Sequence, residues 1–269
     1  FGNESVYDKS KPLRFYRVRY KYLEADLLIR KRLTNAFHFS VGPSYYHYWS
    51  RYKDNDKRIL GDPAIFGSDS AGIYRTKQYL GGKAKFDIIY TNNEIFPTRG
   101  ITWFTEMSGM FGLNSNTHPL TKLTSDMTIY ASLSDHSTVS AVLKFGGGAI
   151  FSKHYEYFQA LSLGAGDVLR GYRKNRFSGR SSAYSSAELR IRLFKSQSYI
   201  LPGDVGVMGF YDIGRVWQKH ESSGKWHPAY GGGIYYIPYG LVMLSGTVAF
   251  SPEDRLFNFS LGAKFKITF

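Results

Sequence analysis

Residues 158–190 read FQALSLGAGDVLRGYRKNRFSGRSSAYSSAELR, and they decide the fold. The first part is too long and too rich in Gly and Ser to be one helix or one strand. The segment from Ala183 to Phe194 alternates: Ala187, Leu189, Ile191 and Leu193 share one face, and Glu188, Arg190 and Arg192 share the other. A long loop that leads into a strand with one apolar and one charged face is unusual in a soluble domain. It is typical of a barrel whose outer face meets lipid and whose lumen is wet.

The same alternation recurs along the chain and predicts an all-β antiparallel protein. Eleven strands are expected, six before a long loop at residues 151–183 and five after it. Long polar connections alternate with short turns, as they do at the two ends of an outer-membrane barrel. Residues 1–13 are expected to form a loop or a frayed end, and a change of parity predicts a β-bulge near Leu23 and Glu24.

The composition is compatible with a membrane barrel. Hydrophobic residues make up 43% of the chain at a mean hydropathy of −0.31, which alternating strands produce by averaging their two faces. No run approaches the ~20 apolar residues of a membrane helix. The 22 Tyr and 20 Phe suit aromatic girdles at the membrane interfaces. There is no Cys, which excludes a disulfide framework and a thiolate metal site.

The net charge of +14 has three interpretations. Nucleic-acid binding is disfavoured, because the charges are spread over strands and hairpins and are not clustered. Attraction to anionic lipid head groups is the second interpretation. We favour the third, a lumen lined with basic side chains. Many basic residues lie at polar-face positions of the predicted strands: Lys83, Lys85, Lys144, Arg190, Arg192, Lys264 and Lys266.

Two short motifs occur in a fixed order in and after the long loop. The centre of the loop is Leu169-Arg170-Gly171-Tyr172, and residues 210–217 read FYDIGRVW. Together they resemble the (V/L)RG(F/Y) and F-x-D-x-G-x-V-W motifs of the BamA/TpsB superfamily, which comprises outer-membrane insertases and two-partner secretion transporters. Gly179 and the run from Glu188 to Arg190 match the pattern that follows the loop motif. The resemblance covers residues 80–269.

The resemblance implies a transmembrane β-barrel in which the loop folds back into the lumen and its arginine pairs with the aspartate of the second motif. It predicts a lumen-loop lock made of six residues: Leu169, Arg170, Gly171, Tyr172, Glu188 and Asp212. Alternation alone places Asp212 on the inner face with Phe210, and it leaves lumen water or Arg190 as other partners.

The last strand, residues 256–269, is apolar at every odd position. It resembles the C-terminal targeting signal of outer-membrane barrels, carried here by Gly262, Phe265, Ile267 and Phe269. We predict that its edge is a gate for client polypeptides; the alternative is that it serves only the assembly of the protein itself. Family barrels have sixteen strands, so the resemblance makes residues 1–269 a single barrel domain that is incomplete at its N-terminal side. A complete twelve-stranded barrel with one strand misread is the alternative.

No residue pattern predicts catalysis. The sequence has no H-x-x-x-H spacing, G-x-S-x-G elbow or P-loop, and neither a cofactor nor a metal is expected. The resemblance implies an integral protein of the bacterial outer membrane that inserts outer-membrane proteins or translocates polypeptide. Its partners would be membrane lipid, client polypeptides and accessory outer-membrane proteins, with no nucleic acid. Two alternatives stay open: a barrel anchor or pore for an upstream patatin-like phospholipase or metallophosphoesterase, and a passive porin, which a plugged lumen disfavours.

Overall fold

The computed structural model describes residues 2–62, 70–134, 137–165, 168–219 and 221–263. The chain is nearly all β, as predicted. Its strands are β1 (Lys21–Asp26), β2 (Ile29–Arg32), β3 (Phe37–Trp49), β4 (Lys77–Thr91), β5 (Gly100–Gly112), β6 (Leu120–Ser132), β7 (Val139–Ile150), β8 (Leu161–Leu163), β9 (Phe177–Gly179), β10 (Ser181–Ser196), β11 (Gly203–Trp217), β12 (His227–Pro238), β13 (Val242–Phe250) and β14 (Arg255–Ala263). The helical segments within the described ranges are α1 (Tyr52–Asn55), a 3₁₀ turn (Ile59–Gly61) and α2 (Ser70–Ile73). None of these has the length and apolarity needed to cross a membrane.

One antiparallel sheet holds twelve of the strands, in the order β1-β3-β4-β5-β6-β7-β10-β11-β12-β13-β14, with β2 also paired to β3. β1 and β2 follow β3 in a single register, with Asp26 opposite Ser44 and Ile29 opposite Val41, so they are two halves of one strand. The sheet therefore agrees with the predicted eleven strands. β8 and β9 form a separate hairpin inside the long loop. β1/β2 and β14 are the two edges, and the described residues show no pairing between them.

The register corrects one prediction. The β-bulge expected near Leu23 and Glu24 is wrong, because β1 pairs with β3 through these residues without a register shift. The tyrosines before this point face the inner side of the sheet, where Tyr22 stacks on Tyr46 at 5.7 Å between ring centroids. In the sequence, aromatic side chains on the inner face therefore look like a change of parity.

The two faces of the sheet differ as the alternation predicts. Along β11, Phe210 and Asp212 are buried, whereas Tyr211 between them is exposed. Large apolar side chains on the outer face are exposed from one edge to the other, among them Ile29, Val41, Leu80, Trp103, Phe111, Leu143, Leu189, Tyr211, Ile234, Phe257 and Phe259. Soluble monomers rarely expose an apolar surface of this extent. A lipid-facing wall requires one.

Several charged side chains on the inner face form ion pairs. Lys83 of β4 is buried, contacts Glu24 and lies 2.8 Å from Asp26 of β1. Such pairing makes a basic inner face tolerable in a partly desolvated interior. Two of the lysines predicted to line the lumen, Lys264 and Lys266, lie outside the described residues.

The start of the chain is a loop, as expected, but residues 2–20 are not frayed. They cross the end of the sheet that carries the long loops, from β1 to the distant strands β11 and β12. Near β3, the guanidinium of Arg58 donates to the carbonyl oxygen of Arg14 at 3.1 Å. At the opposite side, the N–H of Gly2 donates to the carbonyl oxygen of Ser178 at 3.1 Å. The segment is thus tied down at both ends.

Candidate functional site

The long loop between β7 and β10, residues 151–180, folds back over the inner face, and its hairpin packs on β10 and β11. The tip turns at Leu169, whose φ is 55°. A hydrogen bond from the N–H of Tyr172 to the carbonyl oxygen of Leu169, at 2.9 Å, closes the turn. A non-glycine residue at positive φ is strained and persists only where its surroundings stabilise it. Here the turn directs Arg170 at the wall of β11.

Arg170 meets the buried carboxylate of Asp212, which is 0% exposed. The backbone N–H and Nε of Arg170 both donate to Oδ2 at 3.0 Å, and Nη2 donates to Oδ1 at 2.8 Å. Bidentate, charge-assisted contacts of this kind are among the strongest side-chain hydrogen bonds. The hydroxyl of Ser186 on β10 also donates to Oδ1, at 2.7 Å. The loop tip and the neighbouring strand together satisfy this carboxylate.

Glu188 supplies a second carboxylate to the same cation. It contacts Nη1 of Arg170, and it accepts a hydrogen bond from Nε of Arg190 at 2.7 Å. The guanidinium carbon of Arg170 also lies 3.5 Å from the ring centroid of Phe210, a cation–π distance. Burial by itself lowers the pKa of Arg170, but the hydrogen bonds and charges of Asp212 and Glu188 raise it above its ordinary value. Arg190, the other candidate partner of Asp212, pairs with Glu188 instead.

Apolar packing fixes the rest of the motif. Leu169 and Tyr172 are fully buried, in a cluster that also contains Leu163, Phe177, Val216 and Ala229. The hydroxyl of Tyr172 donates to the carbonyl oxygen of Pro228 at 3.1 Å. A Cβ at Gly171 would lie 2.7 Å from the carbonyl oxygen of Phe250, so only glycine fits there. All six residues predicted to form the lumen-loop lock lie together at this place.

The predicted gate strand is only partly described. Phe265, Ile267 and Phe269 lie outside the described residues. Gly262 pairs with Met243 of β13. A Cβ at Gly262 would meet Met243 at 3.8 Å, which is an ordinary van der Waals contact. Crowding therefore does not require a glycine at this position of the strand.

The arrangement can hold the loop tip against the inner face of the sheet. One cation is held between two carboxylates, against an aromatic ring and an apolar cluster, and each group satisfies another. The described ranges contain no group of three or more His, Cys, Asp or Glu side chains that could hold a metal ion.

A further set of contacts, around Asn3, carries no sequence signal. Asn3 is 1% exposed; its Nδ2 donates to the carbonyl oxygen of Lys225 at 2.9 Å, and its Oδ1 accepts from the N–H of Val216 at 3.1 Å. The N–H of Asn3 donates to Glu221 Oε2 at 2.8 Å, and its carbonyl oxygen lies 2.9 Å from His227 Nε2. A glycine followed by an asparagine is typical of any turn or loop, so the pattern alone does not predict this docking.

Alanine at Asn3 is expected to loosen this end of the N-terminal segment. It removes the acceptor of the Val216 N–H, and a buried polar group left without a partner costs about 1–3 kcal/mol. Hydrogen exchange of the Val216 amide should therefore accelerate roughly 5- to 100-fold. Glu4→Ala is the matched control, because the side chain of Glu4 is exposed. Equal exchange rates in the two variants would contradict the role assigned to Asn3.

The fold and the loop define a class of protein: an outer-membrane β-barrel with a long loop folded onto its inner face. The model of the Omp85 superfamily domain matches residues 1–265, and the chain belongs to that superfamily, as the resemblance to BamA/TpsB proteins predicted. It is an integral protein of the bacterial outer membrane.

Two solved structures share the fold. BamA from Haemophilus ducreyi lacking POTRA domains 1–3 aligns with a TM-score of 0.67 and 16% identity, over 91% of this chain and 55% of that chain. CdiB from Escherichia coli aligns with a TM-score of 0.62 and 15% identity, over 91% of this chain and 45% of that chain. The chain thus spans about half the length of these proteins. No curated protein matches the sequence.

Proposed function

We propose that this protein inserts proteins into the outer membrane or translocates polypeptide across it, with the lumen-loop lock holding the loop in place. The observation that carries the proposal is the contact of Arg170 with the fully buried Asp212. Breaking a buried pair by removing one partner costs about 3–5 kcal/mol. A loop fastened this firmly over the inner face obstructs passive diffusion, which argues against a simple porin.

We further propose that the edge of β14 is where a client strand pairs. An unpaired edge presents a row of N–H and C=O groups that another strand can satisfy. In lipid each unsatisfied group costs several kcal/mol, so an open edge favours a strand that replaces the missing bonds. The exposed Phe257, Phe259 and Leu261 would then face lipid beside the client. Gly262 and the residues up to Phe269 belong to this proposed gate, and accessory outer-membrane proteins are candidate partners there.

The test uses the full-length protein reconstituted in liposomes. An unfolded outer-membrane barrel protein is added as one client, and its folding is followed by heat-modifiable gel migration. A secreted polypeptide is added as the other client, and its entry into the vesicle is followed by protection from added protease. We expect acceleration of one of the two processes, and this identifies insertion or translocation. Asp212→Ala should lower the accelerated rate.

Two results would overturn the proposal. One is a correctly folded protein that accelerates neither process, which would favour a role as the anchor or pore of another domain. The other is a steady ion conductance that does not change when Asp212 is replaced, since this is the behaviour of a porin.

A further inference from the structure

The arm of the long loop that leads up to the tip, residues 155–161, lies away from the lock and packs on β3 to β6. The ring of Phe158 stacks on Tyr48 of β3, with 3.7 Å between ring centroids and 8° between ring planes. It packs with Tyr46 and Tyr155 on a buried cluster: Tyr79, Met110, Leu120, Ile150 and Leu161. Aromatic side chains bury a large apolar area, so this contact ties the arm to the wall.

An ion pair lies beside the stacked rings. Glu156 contacts Nζ of Lys77 on β4, and Lys77 is only 4% exposed. A turn presents Glu156 to the wall: its N–H donates to Gln159 Oε1, and the N–H of Gln159 donates to its carbonyl oxygen, both at 2.9 Å. A buried ammonium group is unfavourable unless it is paired. Lys77 therefore has Glu156 as its partner only while the arm stays packed on the sheet.

The arm and the tip contact different parts of the sheet. The tip reaches β11 through Asp212, and it reaches β14 through Asn258, whose Nδ2 donates to the carbonyl oxygen of Arg170 at 3.1 Å. The arm reaches β3 through Tyr48 and β4 through Lys77. The loop therefore joins strands near both edges of the sheet across its inner face.

We propose that Lys77, Glu156 and Phe158 form a second anchor of the loop, independent of the lumen-loop lock. They are positioning residues: they hold the arm on the wall of β3 and β4 whether or not Arg170 is docked. Release of the tip then lets the loop pivot about the arm without leaving the inner face. This inference concerns the position of the loop, and it rests on the proposed function only where client folding is measured.

The test reads the position of the arm directly in the full-length protein. Met110 of β5 is 7% exposed beneath the arm. Because residues 1–269 contain no Cys, Met110→Cys introduces the one thiol of this domain, and a water-soluble maleimide reports its exposure when the labelled peptide is identified by mass spectrometry. The variants in this background are Lys77→Glu, Glu156→Lys, their combination, Phe158→Ala and Phe158→Tyr. The control is Glu106→Lys on β5. Glu106 Oε2 lies 2.9 Å from Nζ of Lys85 on β4, so this substitution breaks a different ion pair of the inner face.

Lys77→Glu, Glu156→Lys and Phe158→Ala are each expected to raise the labelling rate roughly tenfold or more, because local opening exposes the reporter. The charge-swapped double variant and Phe158→Tyr should return the rate close to that of the parent, and Glu106→Lys should leave it unchanged. Rescue by the charge swap is expected only if Lys77 and Glu156 act by pairing with each other. It is not expected if each residue supports only its own segment. Heat-modifiable migration shows which variants have folded, and Phe158→Ala keeps the test decisive if a charge reversal prevents folding.

Labelling rates that do not rise in folded Phe158→Ala, or a double variant as reactive as the single ones, would overturn the second anchor. Client folding in liposomes is measured on the same samples. Faster labelling with unchanged client folding supports the anchor and counts against the proposed link between loop position and function. The two proposals therefore fail in different ways.

Discussion

Asp212→Ala is expected to release the loop tip and to expose the bond after Arg170 to trypsin. The substitution removes the acceptor of the Arg170 backbone N–H, Nε and Nη2, and it leaves Glu188 as the one carboxylate in contact with the guanidinium among the described residues. Loss of one partner of a buried pair costs about 3–5 kcal/mol, and a hydrated lumen reduces this figure. A cost near the lower end corresponds to a roughly 100-fold larger population of the undocked tip. Proteolysis reports that population when docking is fast compared with cleavage.

The measurement is mass-spectrometric mapping of tryptic fragments from the folded full-length protein, followed through the fragment that ends at Arg170. Asp204→Ala is the matched control: Asp204 is also an acidic residue of β11, but it is partly exposed and lies 3.9 Å from Arg192 Nη1. Only the Asp212 variant should yield the fragment faster. If the fragment forms at the same rate in both variants, the tip is not held by Asp212, and the lumen-loop lock has to be abandoned.

Along β11, alternation was sufficient to predict which side chains share a face. Asp212 lies on the inner face with Phe210 because successive side chains of a strand point to opposite sides. Its partner could not be deduced in this way. Alternation leaves Arg190 as acceptable a partner of Asp212 as Arg170. Arg170 is 42 residues from Asp212 in the chain. Arg170, which contacts Asp212 in the structure, is the partner that the resemblance to the family motif implied. The path of the loop across the sheet depends on tertiary packing that no local pattern records.

The second anchor and the docking of Asn3 could not be predicted from the sequence for the same reason. Lys77 and Glu156 are 79 residues apart, and each is an ordinary charged residue in its own segment. The adjacent aromatic residues Tyr157 and Phe158 were the available hint. Tyr20 and Tyr22 suggest a change of parity for a related reason. They lie on the inner face of the sheet, where Tyr20 packs near Phe158 of the long loop, with 6.5 Å between ring centroids, and no local pattern predicts that a loop covers them.

Gly171→Ala is expected to lift the tip away from β12 and β13. The added Cβ would lie 2.7 Å from the carbonyl oxygen of Phe250 and 3.0 Å from the Cβ of Ala229. Both atoms belong to strands that are paired in the sheet, β12 and β13. The loop tip therefore has to move, because the sheet cannot. Its displacement strains the contact of Arg170 with Asp212, although both side chains remain present. Overpacking of this kind costs about 1–3 kcal/mol, so the fragment ending at Arg170 should form roughly 5- to 100-fold faster.

Gly109→Ala on β5 is the control, because a Cβ there meets no atom within 4 Å. The decisive comparison is the double variant. Since Gly171→Ala and Asp212→Ala undo the same docked state, their effects on cleavage should combine to less than the product of the separate effects, as coupled sites do. Effects that multiply fully would mean that glycine and aspartate hold the loop through separate contacts. A Gly171→Ala variant with the cleavage rate of the parent would mean that the tip does not rest on β12 and β13 in the membrane, and the geometry of the lock would have to be redrawn.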